Sequence, residues 1–288
     1  MEGSLISIAQ ALHEKGFIPI QVQLGQKAAK QPGWQVMLPN AESLARDFAR
    51  PSNLGVRCGD EMPDGTRLLA IDVDVDDGPL IRCIEQAIAE PNTPVKRGKK
   101  GATYFIRGNY EQRSTKIKLN RNGKAIPAID ILGLGSQSVL PPSIHPDTNL
   151  PYRYIAGKPL HEIDFRTLPA FGPELVDEIR GFCSNPDDPI CALNEMEWKG
   201  AGGGGNTHDT CVAAVMAMVR RDWSDAAIHD RVYRAKREAC ELAGAPINWP
   251  DAQKTIQEWI DSAKRKIDAS PPKARKPKAC GHLGFPFG

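Results

Sequence analysis

The first 160 residues alternate short apolar segments with polar turns, as expected for a sheet accompanied by few helices. Leu5, Ile8 and Leu12 recur at helical spacing, and Gly16 is placed to end the helix that they predict. A second helix is predicted to begin after Asn40, which can cap it. Strands are predicted over residues 17–22, 54–57, 67–75, 95–97, 102–107, 126–132, 138–140 and 152–155. The pattern therefore predicts an α+β domain built on a mixed sheet.

The last third of the chain has a helical pattern instead. Asn206 and Ser224 are predicted N-caps, and Pro250 is placed at the start of a third helix. Three short helices that share one apolar face predict a small all-α bundle. The chain is thus predicted to divide into four segments, namely the α+β domain at 1–160, a linker with a short helix at 161–202, the bundle at 203–266 and a basic, Pro-rich tail, expected to be disordered, at 267–288.

Composition excludes several classes of protein. The chain is 41% hydrophobic and 25% charged, which is ordinary for a soluble globular protein. No apolar run reaches the roughly 18 residues that a membrane span needs, so no membrane partner is expected. Seven cysteines without a Cys-x-x-Cys pair argue against a disulfide framework and against a zinc ribbon. With no secretory signal in the sequence, the cytoplasm is the expected compartment.

Positive charge is concentrated in one segment of the chain. The net charge is only +2, but residues 96–124 hold ten Lys or Arg and a single acid, Glu111. Such a segment is typical of proteins that bind a phosphate-rich partner. The alternative is a solvated strand edge whose lysines prevent pairing with another chain.

Two carboxylates share one face of the strand predicted at residues 67–75. Side chains alternate between faces along a strand, so Asp72 and Asp74 point the same way, about 7 Å apart. Carboxylates at this spacing suit Mg²⁺ or Mn²⁺, and paired ions serve phosphoryl transfer. Asp130 lies between two isoleucines of another predicted strand and is a candidate third ligand, because a buried carboxylate needs a partner. The alternative for the pair is an acidic strand face that is simply solvated.

Two further segments carry candidate phosphate ligands. Lys99 and Lys100 precede a glycine and a strand that begins near Thr103, where the backbone can approach a ligand closely. Ser143 and His145 lie in a Pro-rich turn and can point to one side. A lysine-rich hairpin turn and a structural turn are the respective alternatives, and the residues alone leave both open.

In their order along the chain, these segments resemble the N-terminal catalytic domain of bifunctional DNA primase-polymerases, in the archaeo-eukaryotic primase superfamily. The resemblance covers about residues 16–156 and rests on five short motifs. They are the Lys-and-Trp segment at 30–34, the Gly-containing strand at 53–59, Asp72-Val73-Asp74, the third aspartate Asp130, and the Pro-Pro-Ser-x-His-Pro turn at 141–146 ahead of Tyr152. The helical segment that opens at residues 205–209 is similar to the small helical primase C-terminal domain that follows such catalytic domains.

The resemblance implies an α+β, mixed-sheet primase-polymerase domain that performs template-directed nucleotidyl transfer by a two-metal mechanism. The implied ligands of Mg²⁺ or Mn²⁺, which are also the catalytic residues, are Asp72, Asp74 and Asp130. The implied nucleotide-binding residues are Lys99, Lys100, Thr103, Ser143 and His145, with Lys30 and Arg57 as further candidates. Phosphates of a single-stranded DNA template are expected to contact Arg107, Arg113, Lys116 and Lys118.

The resemblance also implies a biological setting. The expected partners are single-stranded DNA and nucleoside triphosphates. The sequence has no Walker A motif, so unwinding is expected to come from a separate replicative helicase. By the habits of the family, the replicon would be a phage, a plasmid or another mobile element.

One position departs from the family pattern. Thr103 stands where the family has a histidine that helps to hold the incoming triphosphate. Lys99, Lys100 or His145 can substitute for it, or the domain binds without polymerising. Two other functions therefore stay open, namely a non-catalytic replication initiator that binds single-stranded DNA and a metal-dependent glycosyltransferase that uses Asp-x-Asp.

Overall fold

A computed structural model describes residues 4–62, 64–88, 90, 92–121, 124–185, 188–196, 207–245 and 249–269. Within them lie ten strands and seven α-helices. Strands β1 (Pro19–Val22), β2 (Asn53–Cys58) and β8 (Ser136–Leu140) form a small sheet in the order β1-β2-β8. The other strands are β3 (Arg67–Val73), β4 (Val95–Arg97), β5 (Ala102–Gly108), β6 (Thr115–Arg121), β7 (Lys124–Leu132), β9 (Arg153–Ala156) and β10 (Ala170–Phe171).

These seven strands form the larger sheet. Its order is β6-β7-β3-β5-β4-β9, and β10 pairs with β5. The pairings are antiparallel except that of β10 with β5, which is parallel, so the larger sheet is mixed as predicted. Strand β3 lies between β7 and β5, and its apolar residues are buried on both faces. The aspartates at its end are therefore attached to a buried interior strand of the sheet.

Each face of the larger sheet is covered by its own apolar core. Leu69, Ile71 and Val73 of β3 contribute to a core with the helices α3 (Gly78–Ile88) and α4 (Glu174–Ser184). Leu68 and Ala70 point the other way, into a core with α1 (Leu5–Glu14), α2 (Ala41–Asp47) and β2. Asp72 belongs to this second face by alternation, and it lies where that core gives way to polar residues.

Local sequence signals account for most of the helix boundaries. The Asn40 side chain accepts a hydrogen bond from Ser43 N, and Ser43 Oγ accepts one from Asn40 N, which makes a reciprocal cap for α2. Ser224 Oγ accepts a hydrogen bond from Ala227 N and caps the helix that follows. The predicted helices at both places are confirmed.

The C-terminal part forms the predicted helical bundle. Its helices are α5 (Thr207–Arg220), α6 (Asp225–Ala243) and α7 (Trp249–Asp268), and one apolar cluster joins them. A short 3₁₀ helix, Cys191–Glu195, also contributes to that cluster. The predicted cap Asn206 and residues 270–288 of the predicted basic tail lie outside the described residues, whereas residues 267–268 belong to α7. Across the described ranges, none of the helices combines the length and the apolar character that a membrane crossing requires.

Three details differ from the pattern read along the sequence. Strand β3 ends at Val73, so Asp74 follows the strand instead of lying within it. Strand β6 was not predicted, because its exposed lysines were interpreted only as a charged segment. The segment at 161–202, predicted as a linker with a short helix, contributes α4 to the core of the larger sheet. Each difference comes from tertiary packing, which periodicity in a single segment does not report.

Candidate active site

A pocket of about 340 Å³ opens beside the edge strand β8 and over one face of the larger sheet. Asp72 and Asp74 line it together with residues from the β4–β5 segment and from the turn after β8. The predicted residues that share this pocket are Asp72, Asp74, Lys99, Lys100, Thr103 and His145. The fold thus brings together side chains that are up to 73 positions apart in the sequence.

Five polar side chains form one row across the larger sheet. In the strand registers, Lys96 lies opposite Thr103, Thr103 opposite Asp72, Asp72 opposite Asp130, and Asp130 opposite Lys116. Directly opposed residues in a sheet point to the same face. The row therefore places two carboxylates at its centre and one lysine at each end.

The two carboxylates of the row have different neighbours, a hydroxyl beside Asp72 and a lysine beside Asp130. Thr103 Oγ1 donates a hydrogen bond of 2.5 Å to Asp72 Oδ1, which orients that carboxylate at the pocket. Asp130 Oδ2 lies 3.2 Å from Lys116 Nζ, and Asp130 does not line the pocket. Asp72 is thus held ready for a ligand, whereas Asp130 already has a cationic neighbour.

The pKa of the Asp74 carboxylate is raised above its ordinary value. Burial raises its pKa, and the nearby charges of Asp72 and Asp130 raise it further, while Lys100 opposes the shift. A bound cation would relieve this repulsion. In the ranges that the structure describes, however, no three His, Cys, Asp or Glu side chains converge as a complete metal cage.

The turn between β4 and β5 is fixed against the end of β3 by Asp76. Asp76 Oδ1 accepts hydrogen bonds from Gly101 N at 2.9 Å and from the Arg97 guanidinium at 2.8 Å. Lys99 and Lys100 are exposed on this turn beside the pocket. Asp76 therefore positions the lysine-bearing turn next to Asp74.

Gly101 is required at the tip of this turn. Its φ is +58°, and a Cβ built there would lie 1.7 Å from Val73 O. We expect Gly101→Ala to lower both the midpoint of denaturant unfolding and nucleotide affinity, because the turn must move away from β3. The strained φ alone costs about 1–2 kcal/mol.

Gly65→Ala is a matched control for this prediction. Gly65 has a φ of +77°, but nothing lies within 4 Å of a Cβ built there. It should show only the loss of stability that the strained φ causes, with nucleotide affinity unchanged. If both variants lost the same stability and Gly101→Ala left nucleotide affinity unchanged, the expected clash of the new Cβ with Val73 O of β3 would be contradicted.

The Pro-rich turn after β8 supplies one wall of the pocket. His145 is buried and lines the pocket, with its ring 5.2 Å from that of Tyr152. Burial lowers the pKa of His145, and the charge of Lys27 lowers it further. Its Nδ1 accepts a hydrogen bond from Asp147 N at 3.1 Å. This leaves Nε2 as the ring nitrogen that can face a ligand.

Ser143 is in the same turn but has a different environment. Its Oγ accepts a hydrogen bond from Leu54 N at 2.8 Å and donates one to Leu54 O at 3.1 Å. It is buried and does not line the pocket. These bonds join the turn to β2, so the Ser143 hydroxyl already has backbone partners, and its predicted contact with the nucleotide stays a prediction.

Lys30 and Arg57 are not brought to the pocket. Lys30 is exposed on the segment that follows β1. The Arg57 guanidinium is buried, 2.5 Å from Asp60 Oδ2, and it donates to the carbonyl oxygens of Trp34 and Met37. Arg57 thereby holds the segment that contains Trp34 against the small sheet.

The predicted template residues fall into two groups. Arg113, Lys116 and Lys118 are exposed on or near β6, at one edge of the larger sheet. Arg107 lies at the far end of β5, where it contacts Asp64 at 2.9 Å and Leu168 O at 2.8 Å. Arg107 is thus separated from the other three residues and is already engaged by the protein.

Sequence reasoning missed several residues of the site. Lys27, Lys96 and Asp147 line the pocket, as does Tyr152, which the sequence marks only as part of a family motif, and Asp76 positions the lysine-bearing turn. Asp76 follows Asp74 by two residues, a proximity that could have marked it. No local signal marks Lys27, and Lys96 is marked only as the first residue of the basic segment 96–124, because the position of each in the pocket depends on how distant segments fold together.

Comparison with known proteins gives one clear finding. The sequence profile of the family described as bifunctional DNA primase/polymerase, N-terminal, matches residues 9–170. This range includes both sheets, apart from the last residue of β10, and every residue that lines the pocket. A search of curated proteins found no match.

Proposed function

Because the chain belongs to the family of bifunctional DNA primase/polymerases, N-terminal domain, we propose that its pocket performs template-directed nucleotidyl transfer onto a primer 3′-hydroxyl. Membership of this family indicates a nucleotidyltransferase that acts on DNA and nucleotides and is typically metal-dependent. The observation that carries the finer proposal is the placement of Asp72 and Asp74 in a lysine-rich pocket, with Asp72 oriented by Thr103.

The carboxylates fit Mg²⁺ or Mn²⁺. Mg²⁺ is commonly held by one or two protein carboxylates, with water and substrate phosphates completing its shell. Asp72 and Asp74 provide such an incomplete oxygen set. Burial, together with the negative charge of Asp72, raises the pKa of Asp74, and a cation would offset that charge. Bound divalent ions would supply activation of the 3′-hydroxyl and neutralisation of phosphate charge. Asp130 would become a further metal ligand only if its carboxylate gave up its contact with Lys116.

Lysines supply the complementary surface for the triphosphate. Lys27, Lys99 and Lys100 line the pocket alongside His145. Among the described residues, Lys99 is the one lysine of these three with a carboxylate partner, since its Nζ lies 3.4 Å from Asp147 Oδ2 and both side chains are exposed. Surface pairs of this kind are weak, so a phosphate oxygen can replace the carboxylate. The lysines would orient the triphosphate towards the two aspartates.

The exposed basic residues of β6 are proposed to bind the template backbone. Lys116 and Lys118 alternate with buried Ile117 and Leu119, so both lysines project from one face of the strand. Lys116 lies in the same row as Asp72. A strand of DNA that follows β6 would therefore pass beside the catalytic carboxylates.

Lys118→Gln is expected to weaken binding of single-stranded DNA without changing its sequence preference. The negative slope of log affinity against log salt concentration should become shallower by about 0.7, because one phosphate contact is lost. Fluorescence anisotropy with a labelled oligonucleotide at several salt concentrations measures it. Lys158→Gln removes an exposed lysine beyond β9 and is the matched control. Equal slopes in the two variants would show that β6 lies off the DNA path.

The test of the function is synthesis on single-stranded DNA with labelled nucleotides and Mg²⁺ or Mn²⁺. One reaction contains no primer and a second contains an annealed primer. Products whose composition follows the template would support the proposal, and products in the first reaction would assign priming as well as extension. Binding of DNA without any product in either reaction would instead favour the non-catalytic initiator.

A further inference from the structure

One lysine of the pocket is buried and has no anionic partner in direct contact. Lys96 is 4% exposed and lines the pocket from β4. Its Nζ lies 4.8 Å from the centroid of the Tyr152 ring, a cation–π distance. Throughout the part of the chain that the structure describes, Lys96 Nζ has no hydrogen bond and no carboxylate oxygen within 4.0 Å.

Such an ammonium is costly for the folded protein. Lysine is almost never fully buried unless it is paired, because removal of its charge from water is unfavourable. Burial lowers the pKa of Lys96, and the more distant charges of Asp72 and Asp74 compensate only in part. An ammonium that lines a pocket and has no carboxylate in direct contact among the described residues is suited to an anionic ligand.

The position of Lys96 in the sheet indicates which part of the substrate it faces. It lies opposite Thr103, which in turn hydrogen bonds to Asp72. Lys99 and Lys100 extend from the turn that follows the same strand. Lys96 therefore lines the same pocket as the two carboxylates and the exposed lysines, where the phosphates of a nucleotide would come within its reach.

We propose that Lys96 is a phosphate-binding residue of the pocket. Its ammonium would contact the triphosphate of the incoming nucleotide from the buried side, while Lys99 and Lys100 contact it from the solvent side. The inference rests on the proposed function, since it takes a nucleoside triphosphate as the ligand. It assigns a phosphate contact to a buried lysine that has no carboxylate in direct contact among the described residues.

This role predicts opposite effects on stability and on binding. In Lys96→Met an apolar side chain of similar length replaces a buried, unpaired charge, so the midpoint of thermal unfolding should rise. Affinity for a deoxynucleoside triphosphate should fall roughly 10- to 100-fold, the loss expected when a charge-assisted hydrogen bond is removed. A lysine that merely supports the fold would lower stability when replaced.

The experiment uses the full chain and measures binding of a labelled deoxynucleoside triphosphate in the presence of Mg²⁺ without DNA. Competition by inorganic tripolyphosphate then shows whether the phosphates alone carry the effect. Three variants are compared with the wild type, namely Lys96→Met, Lys96→Arg and the surface control Lys158→Met. The arginine variant should retain affinity within about threefold, because a guanidinium also donates to phosphate oxygens.

The expected result is weaker binding of both the nucleotide and tripolyphosphate in Lys96→Met only, with a raised unfolding midpoint. Unchanged nucleotide affinity in Lys96→Met, or a lowered unfolding midpoint, would overturn the inference about Lys96. The proposed function would still stand in that case if the wild type carried out template-directed synthesis. Failure of the wild type to bind either probe and to synthesise DNA would overturn the proposed function as well.

Discussion

Asp72→Asn is expected to reduce template-directed nucleotide incorporation by at least about 10³-fold, because a metal ligand contributes several kcal/mol to stabilising the transition state. The substitution keeps the side-chain shape and removes only the charge. An asparagine carbonyl oxygen can still accept the hydrogen bond that Thr103 donates. The fold should therefore be unaffected, and the loss should lie in the rate of incorporation.

The measurement compares initial rates of primer extension at saturating DNA for the wild type, Asp72→Asn and Asp74→Asn. Glu42→Gln is the matched control, since Glu42 is exposed in the first turn of α2 and does not line the pocket. DNA affinity should be retained in every variant. Activity of Asp72→Asn and Asp74→Asn above one tenth of the wild type would exclude them as the principal metal ligands.

Asp130→Asn tests whether Asp130 acts as a third metal ligand or stays paired with Lys116. If Asp130 acts as a third ligand, as the sequence predicts, its variant should lose activity to the same extent as Asp72→Asn. If it remains paired with Lys116, as in the structure, the loss should be much smaller. The comparison therefore shows whether the row rearranges when substrate binds.

Regular local patterns are what made much of this fold predictable. The helical spacing of Leu5, Ile8 and Leu12, and the caps at Asn40 and Ser224, each act within a few residues, and the corresponding helices are confirmed. The α+β class and the bundle follow from such patterns. The family was predictable for a related reason, because its motifs are short but occur in a fixed order, and the match over residues 9–170 confirms it.

The site was only partly predictable, since residue type does not report what a side chain contacts. Ser143 and Arg57 have the chemistry to bind phosphate, yet their partners are Leu54 and Asp60. Lys96 lies in the basic segment 96–124, which the sequence marks only by its charge, yet the pairing of β4 with β5 and the packing of Tyr152 bury it. Such assignments depend on tertiary contacts between distant segments.

Arg231→Met is expected to lower the free energy of unfolding by about 3–5 kcal/mol, because it leaves the buried carboxylate of Glu178 without its cation. The pair joins α6 of the bundle to α4 of the catalytic domain. Three contacts of 2.8–3.0 Å connect the guanidinium to the carboxylate, and both side chains are at most 3% exposed. Burial alone would lower the pKa of Arg231, but the charge of Glu178 outweighs it and raises the pKa.

Removal of both charges should cost much less than removal of one. In Arg231→Met/Glu178→Leu no uncompensated charge is buried, so most of the stability should return. Lys264→Met is the control for an exposed pair, because Lys264 lies 2.7 Å from Asp225 while both side chains are more than 40% exposed. That variant should cost no more than about 1 kcal/mol. Denaturant unfolding followed by circular dichroism measures all three.

The same pair determines how the bundle is held against the catalytic domain. Arg234 of α6 also donates to Ala87 O at the end of α3, and Trp223 Nε1 donates to Asp177 Oδ2 of α4 at 3.0 Å. If these contacts make one cooperative unit, Arg231→Met should shift a single unfolding transition to lower denaturant. Two separate transitions in the wild type, with only the bundle affected by Arg231→Met, would instead show that the bundle unfolds independently of the sheet that carries Asp72.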